Sequence, residues 1–499
     1  MALFGNIRIP CQPDLDNIRN LDRLPIPMIR AMQTAGFAID VDYCHDLSSM
    51  FDKEMRELEK DIANYVPPDQ LHLFASKSTE LEAEEGDASV NPASAEQVRT
   101  LLFDVLGIGG KRELKLTKDH KISTGKKQLE LIKEDHPVVQ LILNYRERAK
   151  LKTTYTDALP RIAVEHKRTK PGEVCQICGR THLETHKRVH TEIPTTRAAT
   201  GRLASRNPNL TNIPARTELG AAVRAAFVAS PGKVLVGRDF SQIELRDLAH
   251  AARAKSMIQV YQEDKDIHVF TACAAFDLDY NYYTDLINRP KKLLSVDEKS
   301  KLEHFKQFNR LPSKNLNFMI VYGATVMGLL AQLALSGLLW DEDEGNKFIE
   351  RWFNLYPEVK EFMDWVYYCA LKYGFVWDDF GRVRRVPEVF STHSWIRDAG
   401  LRQAGNHPIQ SIAAGQLKLT MGRLWQSTLN AIAMGMGVWP LIAVHDQLIY
   451  EVDEEDVEDF DGIMDADFKN VMWDEEWGEH RFLVPIKSDG EKTTRWVKD

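Results

Sequence analysis

Lys233-Val-Leu-Val-Gly-Arg-Asp239-Phe-Ser-Gln-Ile-Glu244-Leu-Arg246 passes from a buried apolar run, through a carboxylate, into residues with helical character. The first six residues read as a β-strand, and Asp239 stands at its end beside a turn of the chain. A carboxylate so placed can reach a metal ion in an open cleft. Read alone, it is better explained as the cap of the following helix. The balance shifts with a second run, Leu441-Ile-Ala-Val-His445-Asp446-Gln-Leu-Ile-Tyr-Glu-Val452, where apolar residues flank a His-Asp pair. That pattern predicts a hairpin whose turn presents Asp446. Two carboxylates from different strands can hold a pair of Mg²⁺ ions, which activate a hydroxyl nucleophile and steady an in-line phosphoryl displacement.

Between these strands lies Arg310-Leu-Pro-Ser-Lys314-Asn-Leu-Asn-Phe318-Met-Ile-Val-Tyr322-Gly323. Each step of four along a helix advances about 400°, so Arg310, Lys314, Phe318 and Tyr322 share one face. Cations followed by aromatics suit a triphosphate and a stacked base or sugar. Solvated cations above core aromatics would give the same spacing. Pro312 belongs in the first turn of a helix that begins near Arg310.

Working outward, 499 residues exceed one ordinary core and predict two to four subdomains of roughly 100 to 200 residues each. With 43% hydrophobic and 27% charged residues the composition is that of a globular protein, and no apolar run reaches the roughly 18 residues that span a bilayer. Residues 1–10 carry no secretory signal pattern, and six scattered cysteines suit a reducing compartment, so an intracellular, cytoplasmic location is expected. The net charge of −9 hides an uneven distribution: residues 161–253 hold 16 Lys and Arg against 8 Asp and Glu, whereas 453–479 hold 13 acidic residues and Lys469 alone. A basic middle and an acidic end predict a DNA-facing surface and a solvated back.

Residues 47–62 place apolar side chains at helical spacing, 95–106 and 127–132 do the same, and the acidic, turn-rich 77–92 reads as a loop between helical arms. Helical spacing returns over 305–335 and 345–373, and 375–386, with Asp379-Phe-Gly-Arg382 at its centre, reads as another hairpin.

Taken together these segments resemble a family A DNA polymerase, from about Leu24 to the C-terminus. Asp239 to Arg246 is similar to motif A of that family, Arg310 to Gly323 to motif B, and Val444-His445-Asp446 to motif C. Thr200-Gly-Arg-Leu-Ala-Ser-Arg-Asn-Pro-Asn-Leu-Thr-Asn-Ile-Pro214 resembles the template-primer contact segment, and Lys152-Thr-Thr-Tyr-Thr-Asp157 and Ile39-Asp40 also match. The resemblance implies an α+β right-hand polymerase fold: an N-terminal extension (1–23), a palm beginning at 24–44, a thumb at 45–150, palm again at 151–255, fingers at 256–400 and palm completion at 401–499. It implies a magnesium-dependent DNA polymerase working on primer-template DNA and dNTPs, without an exonuclease domain, monomeric, and served by any separate exonuclease, helicase-primase or processivity factor. A phage replicase fits the small size and unusual insertions better than a cellular repair enzyme.

Residue by residue, the resemblance implies that Asp239 and Asp446 bind the metals and that Glu244 excludes a 2′-hydroxyl. Arg310, Lys314 and His268 of Lys265-Asp-Ile-His268 would contact the triphosphate, with Lys314 suited to protonating the leaving pyrophosphate. Phe318 would stack by the sugar and base, and Tyr322 would close the pocket. Arg202, His445, and Arg402, Asn406 and Gln410 of Arg402-Gln-Ala-Gly-Asn-His-Pro-Ile-Gln410, would contact DNA, in part through minor-groove acceptors shared by all base pairs. A single-subunit RNA polymerase is opposed by Glu244, and an inactive DNA-binding relic by the intact carboxylates. Three departures stand out: Gln447 replaces the Glu after the family's His-Asp, Met319 replaces the glycine after Asn-Phe, and 276–308 is longer than the family requires.

One further cluster, Val174-Cys175-Gln-Ile-Cys178-Gly-Arg-Thr-His182-Leu-Glu-Thr-His186, sits in an inserted stretch at 165–192. Cys175, Cys178, His182 and His186 could bind one tetrahedral Zn²⁺, although the short spacing also suits an unliganded turn. His190 is a poorer ligand, because Val189-His190-Thr191 resembles an ordinary strand of the family.

Overall fold

The computed structural model describes residues 15–74, 90–109, 116–117, 119, 121–214, 217–323, 325–474, 479–480 and 482–497. Residues 1–10 and most of the acidic stretch at 77–92 lie outside these. No helix of the described residues is long and apolar enough to cross a membrane. The chain divides into two compact units, each assembled from separate stretches of sequence.

One unit comprises 36–190, 212–232 and 493–499. Its sheet has the order β1-β3-β2, with β1 (Phe37–Ile39), β2 (Val164–His166) and β3 (His186–Val189) all antiparallel. Helix α1 (Val41–Ala63) contains the amphipathic stretch expected at 47–62 and starts where Asp40 accepts a hydrogen bond from the Tyr43 amide. It packs against α2 (Pro137–Leu151), while Ile62, Val98, Leu102, Leu129 and Ile142 close an apolar core. The expected helical runs at 95–106 and 127–132 appear as Ala95–Arg99 continuing into the wide turn Thr100–Val105, and as Lys126–Leu131.

The other unit comprises 1–35, 191–211 and 233–492. Its four-stranded sheet has the order β11-β4-β8-β7. Here β4 is Lys233–Phe240, β7 and β8 are Val438–Val444 and Gln447–Asp453, and β11 is Ser488–Thr493. Smaller antiparallel pairs are β5 (Phe375–Trp377) with β6 (Val383–Arg385), the hairpin predicted at 375–386, and β9 (Trp473–Asp474) with β10 (Glu479–His480). Around these stand α3 (Ile243–Ala252), α4 (Ile267–Ala275), α5 (Leu311–Val321), α6 (Glu342–Leu355) and the 40-residue α7 (Ser394–Ala433), which runs through position 400 without a break. One continuous apolar cluster, including Val236, Leu248, Ile320, Trp352, Leu417 and Tyr450, ties sheet to helices. The architecture is the α+β class expected, helix-rich with small antiparallel sheets.

The long segment at 276–308 folds as two helices, Tyr280–Asn288 and Val296–Phe305, around a small core in which Leu286, Leu294 and Leu302 meet. The second helix continues through a π-turn, Lys306–Arg310, directly into α5. The α-helical stretch of motif B thus begins at Leu311 with Pro312 in its first turn, as the sequence suggested, but it continues a helical path already under way from Val296. The wider turn absorbs the amide that Pro312 lacks, so the helix need not restart there.

Candidate functional site

β4 pairs with β8 so that Asp239 lies opposite Gln447, and β7 pairs with β8 around the two-residue turn His445-Asp446. His445 adopts a positive φ of 54°, costly for a side chain with a Cβ, and this sharp reversal sets Asp446 at the strand's end. The amide of Phe240 donates to the Asp446 carbonyl at 3.3 Å, which fixes the two carboxylate-bearing segments side by side. Burial pushes the Asp446 carboxyl up to about 6; Arg202 opposes this, and the charges of Asp239 and Glu244 add to it. Negative charge is thus concentrated beyond what the neighbouring protein neutralises.

Gln242, also at a positive φ of 54°, turns the chain into α3 and places Glu244 in its first turn. The Glu244 carboxylate accepts from Arg202 Nη2 at 2.6 Å and from Tyr322 Oη at 3.0 and 2.9 Å to its two oxygens. Gln410 also bonds Tyr322. Two residues named from separate motifs, Arg202 and Tyr322, thereby meet at the Glu244 carboxylate, with Gln410 behind Tyr322. On α3, Asp247 is fully buried, and that burial, with the charges of Asp446 and Glu244, holds its carboxyl well above the usual range. Nothing in the sequence set Asp247 apart.

Of the predicted stripe, Lys314, Phe318 and Tyr322 are exposed and Arg310 half-buried, so the aromatics are not core residues: Phe318 is 38% and Tyr322 44% accessible. Lys314 is exposed, with no ion-pair partner among the described residues. Arg310 is held at 2.8 Å by Asp266 Oδ2, while Asp266 Oδ1 caps α4 by accepting from the amides of His268 and Val269. His268 is buried beside Phe318, ring centroids 5.3 Å apart, and burial, with Arg310 and Lys314 nearby, lowers its pKa to about 4 against the pull of Asp266. A fixed tautomer follows from its partners. Trp352 Nε1, which can only donate, bonds Asn317 Oδ1 at 2.7 Å, so Asn317 Nδ2 must face His268 Nδ1 at 3.0 Å as donor. The neutral imidazole therefore carries its proton on Nε2. Asp266, Asn317 and Trp352 were not legible as site residues, because their partners lie 35 to 49 residues away.

Phe318, Met319, Tyr322, Gly328 and Arg402 line a cleft of about 430 Å³. Gly328 gives Met319 its room: a Cβ there would lie 3.2 Å from the Met319 methyl. Asn406 buries its side-chain oxygen with no hydrogen-bond partner among the described residues, and Arg402 packs against Gly323. Gln447 donates to Glu491 of β11 at 2.6 Å. The Glu491 side chain reaches it by crossing β4 at Gly237, where a Cβ would lie 2.9 Å from Glu491.

In the other unit, the inserted Cys/His segment closes on itself. Cys175, Cys178 and His182 come together as predicted, but the fourth member is His166 at the end of β2, with all four ligand atoms within 4.8 Å of one another. His186 is set aside because its nitrogens face other partners: Nδ1 the Glu184 carbonyl at 3.1 Å, Nε2 the Arg188 guanidinium at 3.3 Å and Ser230 Oγ at 3.4 Å.

Comparison with known proteins bears on both units. The sequence model of DNA polymerase family A matches residues 41–498. The chain is 34% identical over 442 residues to thermostable DNA polymerase I of Thermus filiformis, covering 88% of this chain and 44% of that protein. It is 30% identical over 476 residues to DNA polymerase I of Deinococcus radiodurans, covering 94% and 42% respectively. The chain thus spans less than half the length of these curated relatives. Among solved structures, the polymerase domain of M. smegmatis Pol1, in complex with DNA primer-template and dNTP, is similar with a TM-score of 0.71 at 26% identity, over 96% of this chain and 72% of that one. With the family match running across nearly its whole length, the chain belongs to DNA polymerase family A.

Proposed function

We propose that this chain extends a primer 3′-hydroxyl with deoxynucleotides under the direction of a DNA template. The observation that carries the reading is the meeting of Glu244, Tyr322, Arg202 and Gln410 beside the Asp239 and Asp446 carboxylates. A strand-end pair of carboxylates thereby shares one cleft with a cationic and aromatic helix face. On this reading 45–150 serves as thumb, 256–400 as fingers, and the remaining stretches from 24 onward as palm.

The donor set fits Mg²⁺: two hard carboxylate ligands lie together, and burial, with the charges of Asp239 and Glu244 adding to it, pushes Asp446 up to about 6. Asp239 and Asp446 would hold two such ions, which supply activation of the primer hydroxyl and charge stabilisation in phosphoryl transfer.

The chain's own groups do the rest. Arg310, oriented by Asp266, and Lys314 offer charge to the triphosphate, and neutral His268 donates its Nε2–H there. Lys314 is placed to give a proton to the departing pyrophosphate. Phe318 packs beside the sugar and base. Glu244, clamped between Arg202 and Tyr322, occupies the space a 2′-hydroxyl would need. Arg202, Arg402, Asn406, Gln410 and His445 face primer and template, the buried Asn406 oxygen being an acceptor that awaits a partner.

Primer extension with Mg²⁺, comparing dNTPs with rNTPs and wild type with Asp446→Ala, tests this. Extension with dNTPs alone, lost in the variant, is expected; an inert wild type, or an active variant, sinks the assignment.

A further inference from the structure

We propose that His166, Cys175, Cys178 and His182 form a closed, structural Zn²⁺ site that folds the loop between β2 and β3. The inference goes beyond the polymerase reading and stands independently of it.

Distances come first. Zn–S bonds of about 2.3 Å and Zn–N bonds of about 2.0 to 2.1 Å place tetrahedral ligand atoms roughly 3.3 to 3.8 Å apart. Cys175 Sγ lies 3.6 Å from His166 Nδ1, Cys178 Sγ lies 3.1 Å from His182 Nε2, and no ligand-atom pair exceeds 4.8 Å. Two sulfurs and two imidazoles in one compact set select zinc over hard cations. Four protein ligands leave no open position for substrate, so the role is structural.

The backbone around the sulfurs is shaped for thiolates. The amides of Ile177 and Cys178 point at Cys175 Sγ, and that of Arg180 at Cys178 Sγ. Gly179, at φ +70°, lets the knuckle reverse, with Gly179 N–H bonded to Cys175 O at 2.8 Å and Cys175 N–H to Arg180 O at 2.7 Å.

Outer-shell support is also built in. His166 uses Nδ1 toward the sulfurs, while its Nε2 lies 3.1 Å from His190 Nε2. Such a bond fixes the tautomer of a ligating histidine. Room for the His190 ring comes from Gly36, where a Cβ would stand 2.8 Å from it.

The loop has little apolar packing of its own. Between β2 and β3 its large apolar side chains face solvent, Val174 at 53%, Ile177 at 42% and Leu183 at 68% exposed. The side chains buried there are Cys175, Arg180 and His182. A segment of this size without an apolar core needs a staple, and metal binding supplies folding free energy directly.

The test is elemental analysis of the purified full chain, before and after reconstitution with Zn²⁺ under reducing conditions, followed by zinc release to a colorimetric chelator. Wild type and His186→Ala are expected to carry one zinc per chain and to hold it against the chelator. His166→Ala and the double variant Cys175→Ser with Cys178→Ser are expected to lose it. Should the variants fail to fold, wild type alone decides: Co²⁺ must give the absorption of a tetrahedral thiolate site, and chelation must open residues 167–185 to protease. Substoichiometric zinc after reconstitution, a Cys175–Cys178 disulfide in its place, or zinc lost from His186→Ala but kept by His166→Ala overturns the assignment.

Discussion

Asp446 and Cys175 are both acidic groups drawn in from water, yet their surroundings differ. Asp446 ends a hairpin whose strands carry Ala443, Leu448 and Tyr450 into a continuous apolar core. Its position is imposed by packing, and its charge is left undercompensated. Cys175 sits in a loop whose apolar side chains face outward, and its place is set by backbone amides and by the ligand atoms themselves. A rigid core can hold a group where that group is uncomfortable, and such discomfort is usable for catalysis. A segment without a core can only be ordered by the contact it makes. Removing a group from the first should cost chemistry and spare the fold; removing one from the second should do the reverse.

The sharpest trial is Asp446→Ala or Asp239→Ala. Primer extension should fall by about 10³-fold or more, because the charge that organises phosphoryl transfer is gone, while the thermal midpoint of the metal-free protein stays level or rises. A variant that unfolds instead breaks the comparison. Glu244→Ala comes next: discrimination against ribonucleotides should drop by roughly 10- to 200-fold in kcat/KM, measured by single-nucleotide insertion, with dNTP use much less affected.

Asn317→Leu leaves no residue in contact with substrate altered but frees the His268 tautomer. Since one well-oriented hydrogen bond is worth about 1 kcal/mol, kcat/KM for dNTPs should fall on the order of 10-fold, mainly through KM. Unchanged KM would show that His268 is not positioned by Asn317.

A smaller effect concerns pH. The Asp446 carboxyl, at about 6, lies above the ordinary value of about 3.9, so between these values the folded chain binds the proton that the unfolded chain releases. Stability of the metal-free protein should therefore fall as pH rises through that window, by up to about 1.4 kcal/mol per pH unit. Asp446→Asn should flatten that slope in denaturant titrations. Least of all should be the effect of replacing 167–185 with a short Gly-Ser turn, which is expected to leave extension within about threefold while abolishing zinc binding.

Much of the candidate site was readable in the chain. Asp239, the Arg310 to Tyr322 stripe and Asp446 each lie in a short segment whose local period reveals strand, helix face or hairpin turn. The sequence by itself determined these elements, since periodicity and turn chemistry act between near neighbours. It also showed the cysteine pair.

Only the tertiary structure decided who meets whom. Asp266 both caps α4 and grips Arg310, Arg202 and Tyr322 converge on Glu244 from 42 and 78 residues away, and Glu491 crosses Gly237 to reach Gln447. His166 and His186 are cross-strand partners in β2 and β3, equally plausible as ligands by residue type. The choice between them rests on which ring is occupied by Arg188, Ser230 and the Glu184 carbonyl. Such pairings depend on distances closed by packing of the whole unit, and no local pattern of residues encodes them.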